Sequence, residues 1–446
     1  MASKFKTFFV FLGDLAALYG SLAIALLIRY GNAEFGKAFG KHVIPFTLIF
    51  VFWILIYYLI DFYEIKNLKN DIAFFRSFFV SLVINVVIAI IFFYVLPFYG
   101  ITPKTNLLIF IAVFTTIELA WRYSFNSLNA KFSPPENVLL IDSGQNNGFA
   151  EELINHLNKN PQLSYKIAVH IKDGAENYDA EKFSQLIKTN SIETIIIPTH
   201  LEHQIKFSKI IYKNISSEIN VMNFAEFYEL IFKKVPLYEL EEAWFLENLL
   251  KKGSSYDPIK SLIDFILSLI AFVIFLPFTI IIAVSTKVTS KGPIIYKQER
   301  TGKNENPFVL YKFRTMIVGA EKNGAQWSQP GDSRITKFGK ILRYTHLDEL
   351  PQLINVLKGN VSFVGPRPER PEFVEKLKGQ IPYYEIRHLV KPGITGWAQI
   401  NYRYGASVED AIEKLQYDIY YLKNKSMLLD LLIVLKTIKL FFVNLK

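Results

Sequence analysis

The chain has 446 residues, of which 51% are hydrophobic and 39 are phenylalanine, a content that excludes an ordinary soluble protein and indicates a membrane protein of two or three folded units. It contains no cysteine, which excludes disulfide frameworks and thiolate metal sites. Its net charge is +10, and the basic residues flank apolar runs instead of forming one patch, so lipid and phosphate partners are favoured and nucleic acid is not expected.

Four apolar runs open the chain, at residues 7–28, 44–60, 78–99 and 107–122. Each is near the roughly 20 residues that cross a bilayer. Lys4 and Lys6 precede the first run, but no small-residue cleavage site ends it, so it reads as a retained span. Four spans return the chain to its starting side. Lys4, Lys6, Lys66, Lys69, Arg76, Arg122 and Lys131 would lie there, against Arg29, Lys37, Lys41 and Lys104 opposite, which places both ends in the cytoplasm. Asp14 and Glu118 fall within spans; such carboxylates are either functional or paired inside the bundle, and pairing is the favoured reading.

At Ser133-Pro134-Pro135 the composition turns soluble. Strand patterns at 138–142, 165–171, 194–198 and 219–224, separated by helical stretches, predict a small parallel α/β domain. Its first loop, 142–148, lacks the GxGxxG spacing of a dinucleotide site, so a regulatory or assembly role is expected. Residues 261–286 are again long enough to span. Lys251, Lys252 and Lys260 lie before them and Lys287, Lys291 and Lys297 after, so the charge rule gives no preference for crossing. Pro277 removes a backbone hydrogen bond inside the run. The expectation is a re-entrant helix that breaks near Pro277 and returns to the same face.

Lys297, Arg300, Lys312 and Arg314 follow, suited to a lipid phosphate or a nucleotide diphosphate, or simply solvated. The densest stretch is 343–370, RYTHLDELPQLINVLKGNVSFVGPRPER. Asp348 and Glu349 are adjacent carboxylates, ionised at neutral pH and able to act as nucleophile or Mg²⁺ ligands, while Arg343 and Arg367 can offset phosphate charge. A solvated helix start capped by Thr345 is the plainer alternative. Helical spacing over 343–357 puts Leu347, Leu350, Ile354 and Leu357 on one face, and Pro366-Arg367-Pro368 predicts a rigid turn. In the turn-rich stretch 391–399, Trp397 or Gln399 would contact a base, or Trp397 is a core residue under a structural turn. A helix at 408–421 and an interfacial amphipathic helix at 427–445 end the chain.

Four ordered motifs, QERTG at 298–302, FVLYKFRTM at 308–316, RYTHLDELPQLINVLKGNVSFVGPRPE at 343–369 and KPGITGWAQINYRYG at 391–405, together resemble the bacterial sugar transferase family. These are the monotopic polyprenyl-phosphate hexose-1-phosphate transferases, or phosphoglycosyl transferases. The resemblance covers about 251–446, and the four spans with an α/β domain resemble the family's long form, such as undecaprenyl-phosphate galactose or glucose phosphotransferases. The implied fold is a membrane protein of mixed α and α/β class. It has a four-helix transmembrane bundle over 1–132, a Rossmann-like domain over 133–250, and a catalytic domain over 251–446 whose re-entrant helix holds Pro277.

The implied activity is transfer of a sugar 1-phosphate from a UDP-sugar to undecaprenyl phosphate, giving undecaprenyl-diphosphate-sugar and UMP. This would be the first membrane step of O-antigen, capsule, exopolysaccharide or glycoconjugate synthesis. The resemblance makes Asp348 the nucleophile that forms a covalent phosphosugar intermediate, and Glu349 a partner in holding Mg²⁺. It gives Arg343 and Arg367 to phosphate binding, and Thr395, Gly396, Trp397 and Gln399 to the nucleotide end. It implies the bacterial inner (cytoplasmic) membrane with the catalytic domain on the cytoplasmic face, and it is compatible with a homodimer. His346 stands where the family more often has Ser, and Leu276 where Ser or Pro is familiar. A noncatalytic scaffold for polysaccharide assembly, or a membrane-bound nucleotide-sugar dehydratase or epimerase, are the alternatives.

Overall fold

A computed structural model describes residues 2–64, 67–95, 104–132, 135–142, 148–172, 180–198, 219–249, 256–320, 332–402, 405 and 407–444. Lys66, the end of the third apolar run, Ser133-Pro134, the loop 143–147 and the Lys251-Lys252 pair lie outside the described residues. The chain divides into two compact units. One is Met1–Ile141, Ala150–Ile195 and Lys213–Val221; the other is Asp142–Phe149, Ile196–Tyr212 and Met222–Lys446.

The first unit begins with three long helices, α1 (Ala2–Leu59), α2 (Ile72–Val95) and α3 (Lys104–Phe132). Both of the first two expected spans fall on α1, which Gly31 interrupts at φ 67° and ψ 173°. In one straight rod Tyr19 and Thr47 would be about 42 Å apart. Their hydroxyls are 2.9 Å apart, so α1 folds back on itself and the two spans are its arms. Aromatic side chains fill the bundle: Phe110 packs on Phe46, Phe50 and Trp53 with ring centroids 5.5–5.6 Å apart. Arg122, 1% exposed, lies 2.5 Å from Asp14 and 3.3 Å from Glu118. The two carboxylates therefore pair inside the bundle, as buried charges must. Arg122 is consequently not a surface cation, which corrects its place in the charge count made from the sequence.

Residues 136–223 carry a four-stranded sheet of β1 (Glu136–Ile141), β2 (Tyr165–Ile171), β3 (Thr194–Ile197) and β4 (Asn220–Asn223) in the order β2-β1-β3-β4. β1 and β2 pair in parallel, with α4 (Phe149–Lys159) between them in sequence, and α5 (Ala180–Thr189) leads to β3. Val138, Leu139, Leu140 and Ile141 are all fully buried, which is why β1 reads as an unbroken apolar run and not an alternating one.

The second unit continues with α6 (Phe224–Phe232), α7 (Glu242–Leu249) and α8 (Tyr256–Thr289). An antiparallel pair follows, β5 (Ile295–Thr301) and β6 (Pro307–Phe313), then α9 (Lys337–Tyr344) and α10 (Gln352–Leu357). β7 (Ser362–Val364) pairs in parallel with β8 (Gly393–Thr395) across α11 (Pro371–Lys378), and α12 (Trp397–Asn401), α13 (Val408–Asn424) and α14 (Met427–Asn444) complete the unit. α8 is one assigned helix with Pro277 inside it. Its start is tied down by Tyr256 and Lys260, 2.7 and 2.5 Å from Asp430 on α14. Its end packs Ile282 with Phe313 and Leu342, and Arg314 Nη2 donates to the Ser290 carbonyl at 2.7 Å. Between these anchors Leu262, Val273, Ile274, Phe278 and Ile280 are 56–63% exposed. α1, α2, α3 and α8 all contain stretches long and apolar enough to cross a membrane. α14 is two-faced, burying Asp430 and Ile433 while exposing Leu428 and Leu431.

The single helix expected over 343–357 is instead α9, a 3₁₀ turn at Leu347–Glu349, and α10. His346 adopts φ 52° and ψ 16°, a left-handed conformation that an α-helix cannot contain.

Candidate active site

The left-handed step at His346 turns the chain inward, so the 3₁₀ turn delivers Asp348 to a buried position, 8% exposed. Two bonds fasten this segment to β6. Asn355 Oδ1 on α10 accepts from the Tyr311 amide at 3.0 Å, and its Nδ2 donates to the Val309 carbonyl at 2.7 Å. Lys312, the next residue along β6, is thereby aimed at the turn: its Nζ lies 2.7 Å from Glu349 Oε1. Arg367 Nη2 reaches the same oxygen at 3.3 Å. The sequence-assigned groups Asp348, Glu349, Lys312 and Arg367 thus converge. Arg343 is nearby, with Nε donating to Thr315 Oγ1 at 2.9 Å.

The two carboxylates differ in their surroundings. Burial raises the Asp348 carboxyl, as does the Glu349 charge, against the opposing pull of Lys312, Arg343 and His346. Burial acts on Glu349 in the same direction, but Lys312 and Arg367 outweigh it and hold its carboxyl well below the usual range. Burial lowers the Lys312 ammonium, opposed by Glu349. Glu349 is thus a fixed anion between two cations, whereas no described residue donates a hydrogen bond to Asp348. A carboxylate without a hydrogen-bond donor among the described residues can attack an electrophile.

The other assigned residues build the frame. Arg300 Nη1 donates to the Pro368 carbonyl at 2.9 Å, and Arg387 Nη2 donates to the Arg367 carbonyl at 3.1 Å, so two guanidiniums clamp the Pro366-Arg367-Pro368 turn. Arg387 is itself 2.8 Å from the buried Asp418 and donates to Tyr384 at 2.6 Å. Neither Arg387 nor Asp418 stood out in the sequence. One sign was present: Asp418 shares a face of α13 with Leu415 and Leu422, an acid at apolar spacing. Arg314 supports the end of α8 through Ser290 and does not reach Glu349.

The 395–399 stretch runs from the last residue of β8 into α12. Gly365 and Thr395 share a backbone bond of 2.9 Å, and a Cβ on Gly365 would lie 2.4 Å from the Lys391 carbonyl. Thr395 Oγ1 is 2.7 Å from Thr437 Oγ1, and Gln399 Nε2 donates to the Ile394 carbonyl at 3.2 Å. A Cβ on Gly396 would meet the Gly365 carbonyl at 2.2 Å. The Trp397 ring is buried and stacked on Tyr420, with its indole N–H on the Lys233 carbonyl at 2.8 Å. Its placement is that of the core residue weighed in the sequence.

Residues 255–444 match the family described as bacterial sugar transferase. The chain is 46% identical over 184 residues to a UDP-N-acetylgalactosamine-undecaprenyl-phosphate N-acetylgalactosaminephosphotransferase of Aeromonas hydrophila, covering 41% of this chain and 44% of that protein. It is 32% identical over 303 residues to a UDP-glucose:undecaprenyl-phosphate glucose-1-phosphate transferase of Klebsiella pneumoniae, covering 66% of this chain and 65% of the relative. A protein of the same name in Caulobacter vibrioides is 36% identical over 181 residues, or 40% of this chain and 68% of the relative. The first two matches thus span less than two thirds of the relatives' own lengths.

Proposed function

The chain belongs to the bacterial sugar transferase family, and from that membership we propose that it transfers a sugar 1-phosphate from a UDP-sugar to undecaprenyl phosphate. The observation that carries this reading is the buried, unbonded Asp348 beside a Glu349 held by Lys312 and Arg367. A carboxylate oxygen of Asp348 attacks the β-phosphorus of the donor. The bond from that phosphorus to the UMP oxygen breaks, leaving a phosphosugar ester on Asp348 and free UMP. An oxygen of undecaprenyl phosphate then attacks the same phosphorus, the Asp348 carboxylate leaves, and undecaprenyl-diphosphate-sugar is released. Arg367 and Lys312 offset the charge of the diphosphate as UMP departs, and Arg343 assists from the Asp348 side.

The residues fit Mg²⁺. Asp348 and Glu349 would hold it as a pair, since among the described residues no group of three or more acids or histidines is placed to hold a metal. That is the habit of Mg²⁺, which takes one or two carboxylates and draws its other ligands from substrate phosphate and water. When bound it would neutralise diphosphate charge.

Lipid and nucleotide meet only at a membrane surface, and the re-entrant reading of α8 supplies that setting. Both ends of α8 are seated on the second unit while its middle is exposed round the helix, as a shaft dipping into one leaflet would be. The exposed apolar face of α14 suits the headgroup layer. The catalytic unit would face the cytoplasm, where nucleotide sugars are made.

The test is UMP release by purified protein with undecaprenyl phosphate, Mg²⁺ and a panel that includes UDP-glucose, UDP-galactose and UDP-N-acetylgalactosamine. Release with one or two donors, reduced on the order of 10³-fold or more in Asp348→Asn, is expected. Equal rates in wild type and variant would remove Asp348 from the chemistry; an inert wild type would favour a scaffold.

A further inference from the structure

QERTG was prominent in the sequence, yet the proposed chemistry draws on none of its residues, Arg300 serving only in the frame. Side chains alternate along a strand, so Tyr296, Gln298 and Arg300 of β5 share one face. Antiparallel register sets Tyr296 opposite Lys312, which puts that face on the side of the strand pair from which Lys312 grips Glu349.

The three side chains form a continuous row. Gln298 Nε2 donates to the Tyr296 hydroxyl at 3.0 Å, and Gln298 Oε1 accepts from Arg300 Nε at 3.0 Å and Nη2 at 2.6 Å. Arg300 Nη1 then donates to the Pro368 carbonyl at 2.9 Å. The adjacent residue is Arg367, whose Nη2 lies on Glu349. We propose that Gln298 is a positioning residue for Arg367: by accepting from two nitrogens of Arg300 it fixes the guanidinium plane that holds the Pro366-Arg367-Pro368 turn. This inference rests on the transferase reading.

Glutamine suits this place for a physical reason. An amide has one acceptor end and one donor end, and only the acceptor end can face a guanidinium. Tyr296 engages the donor end, which leaves Oε1 turned toward Arg300. With Gln298 gone, rotation about the last bonds of Arg300 would move Nη1 off the Pro368 carbonyl. The turn would then keep the Arg387 bond to the Arg367 carbonyl and, at its first residue, the Gly393 amide bond to the Pro366 carbonyl. Arg367 would sample positions away from Glu349, and small misplacements near a reacting phosphate cost large factors in rate.

The experiment uses the full chain and the UMP-release assay with four variants: Gln298→Met, Gln298→Glu, Arg367→Lys and the Gln298→Met, Arg367→Lys double. Gln298→Met keeps length and removes the acceptor, whereas Gln298→Glu keeps the acceptor. Gln298→Met is expected to lower kcat/KM about tenfold or more with an unchanged melting temperature, and Gln298→Glu to remain within about threefold of wild type. In an Arg367→Lys background, where the bonded turn has lost its guanidinium, the Met substitution is expected to add little, because effects acting through one group are not additive. Wild-type kcat/KM in Gln298→Met, equal losses in Met and Glu variants, or losses that multiply in the Arg367→Lys background would each overturn the role. Should the wild type release no UMP from any donor, the transferase reading itself fails; an active wild type with an unaffected Gln298→Met removes only the positioning role.

Discussion

Asp348 and Glu349 are chain neighbours, yet burial raises the carboxyl of the first while the second is fixed between two cations. The sequence shows the dyad and the flanking arginines, and four of the assigned residues do meet. It does not show which arginine reaches the dyad and which touches backbone, because that depends on the turn conformation at His346 and on strand register. Arg300 was assigned to phosphate, but three of its nitrogens are engaged by Gln298 and Pro368. Arg387 and Asp418 passed unnoticed because a single acid on a helix face looks solvated until its partner arrives from another element. Burial raises the Asp418 carboxyl to about 6, opposed by the nearby Arg387 charge. A carboxyl raised above its unfolded value binds its proton more tightly when folded. Its contribution to stability is therefore full below about pH 4 and lost as pH rises through about 6. Asp418→Asn is expected to flatten the fall in melting temperature between pH 5 and 7.5. A fall as steep as that of wild type would place the responsible proton elsewhere.

At the scale of elements, apolar runs were legible and their interruptions were less so. Both arms of α1 stood out as runs, whereas the reversal between them hangs on Gly31. That residue lies at φ 67° and ψ 173°, a region costing side-chain-bearing residues about 1–3 kcal/mol. A Cβ there would meet nothing within 4 Å, so Gly31→Ala tests backbone conformation alone. Its melting temperature in detergent is expected to fall by several degrees, and an unchanged value would mean the reversal tolerates an ordinary residue. The reverse error occurred over 343–357, where helical spacing of leucines concealed a left-handed residue that periodicity cannot register. At the β7–β8 crossing the constraint is space. With the Lys391 carbonyl 2.4 Å from where its Cβ would stand, Gly365→Ala must push apart the strands behind the Arg367 turn. The expected result is UMP release reduced at least tenfold, roughly, since Arg367 moves with its turn; retention of full activity would show that the crossing can open without disturbing it.

For the whole molecule the decisive matter is how α8 meets the bilayer. Charge could not settle it from the sequence, because lysines flank both ends. A straight helix of its 34 residues would be about 51 Å long, against a hydrocarbon layer of about 30 Å. Such a rod would carry its two ends to opposite faces, whereas the re-entrant form proposed above returns both to one. Pro277 cannot donate to the carbonyl four residues back, which makes its position the weakest point of the helix. The chain has no cysteine of its own, so one introduced at Asp257 and, separately, one at Lys291 report without background. In sealed vesicles of one orientation, a membrane-impermeant maleimide is expected to label both from the same side. Labelling from opposite sides would make α8 a crossing helix and put residues 291–444 on the far face from its start, away from cytoplasmic nucleotide sugars. Replacing Pro277 by Leu restores the missing donor and favours a straight rod. The expected outcome is a fraction of molecules with Lys291→Cys labelled from the opposite side and UMP release reduced in the same proportion, because on the proposed mechanism only the returning form would keep Asp348 where lipid and nucleotide meet.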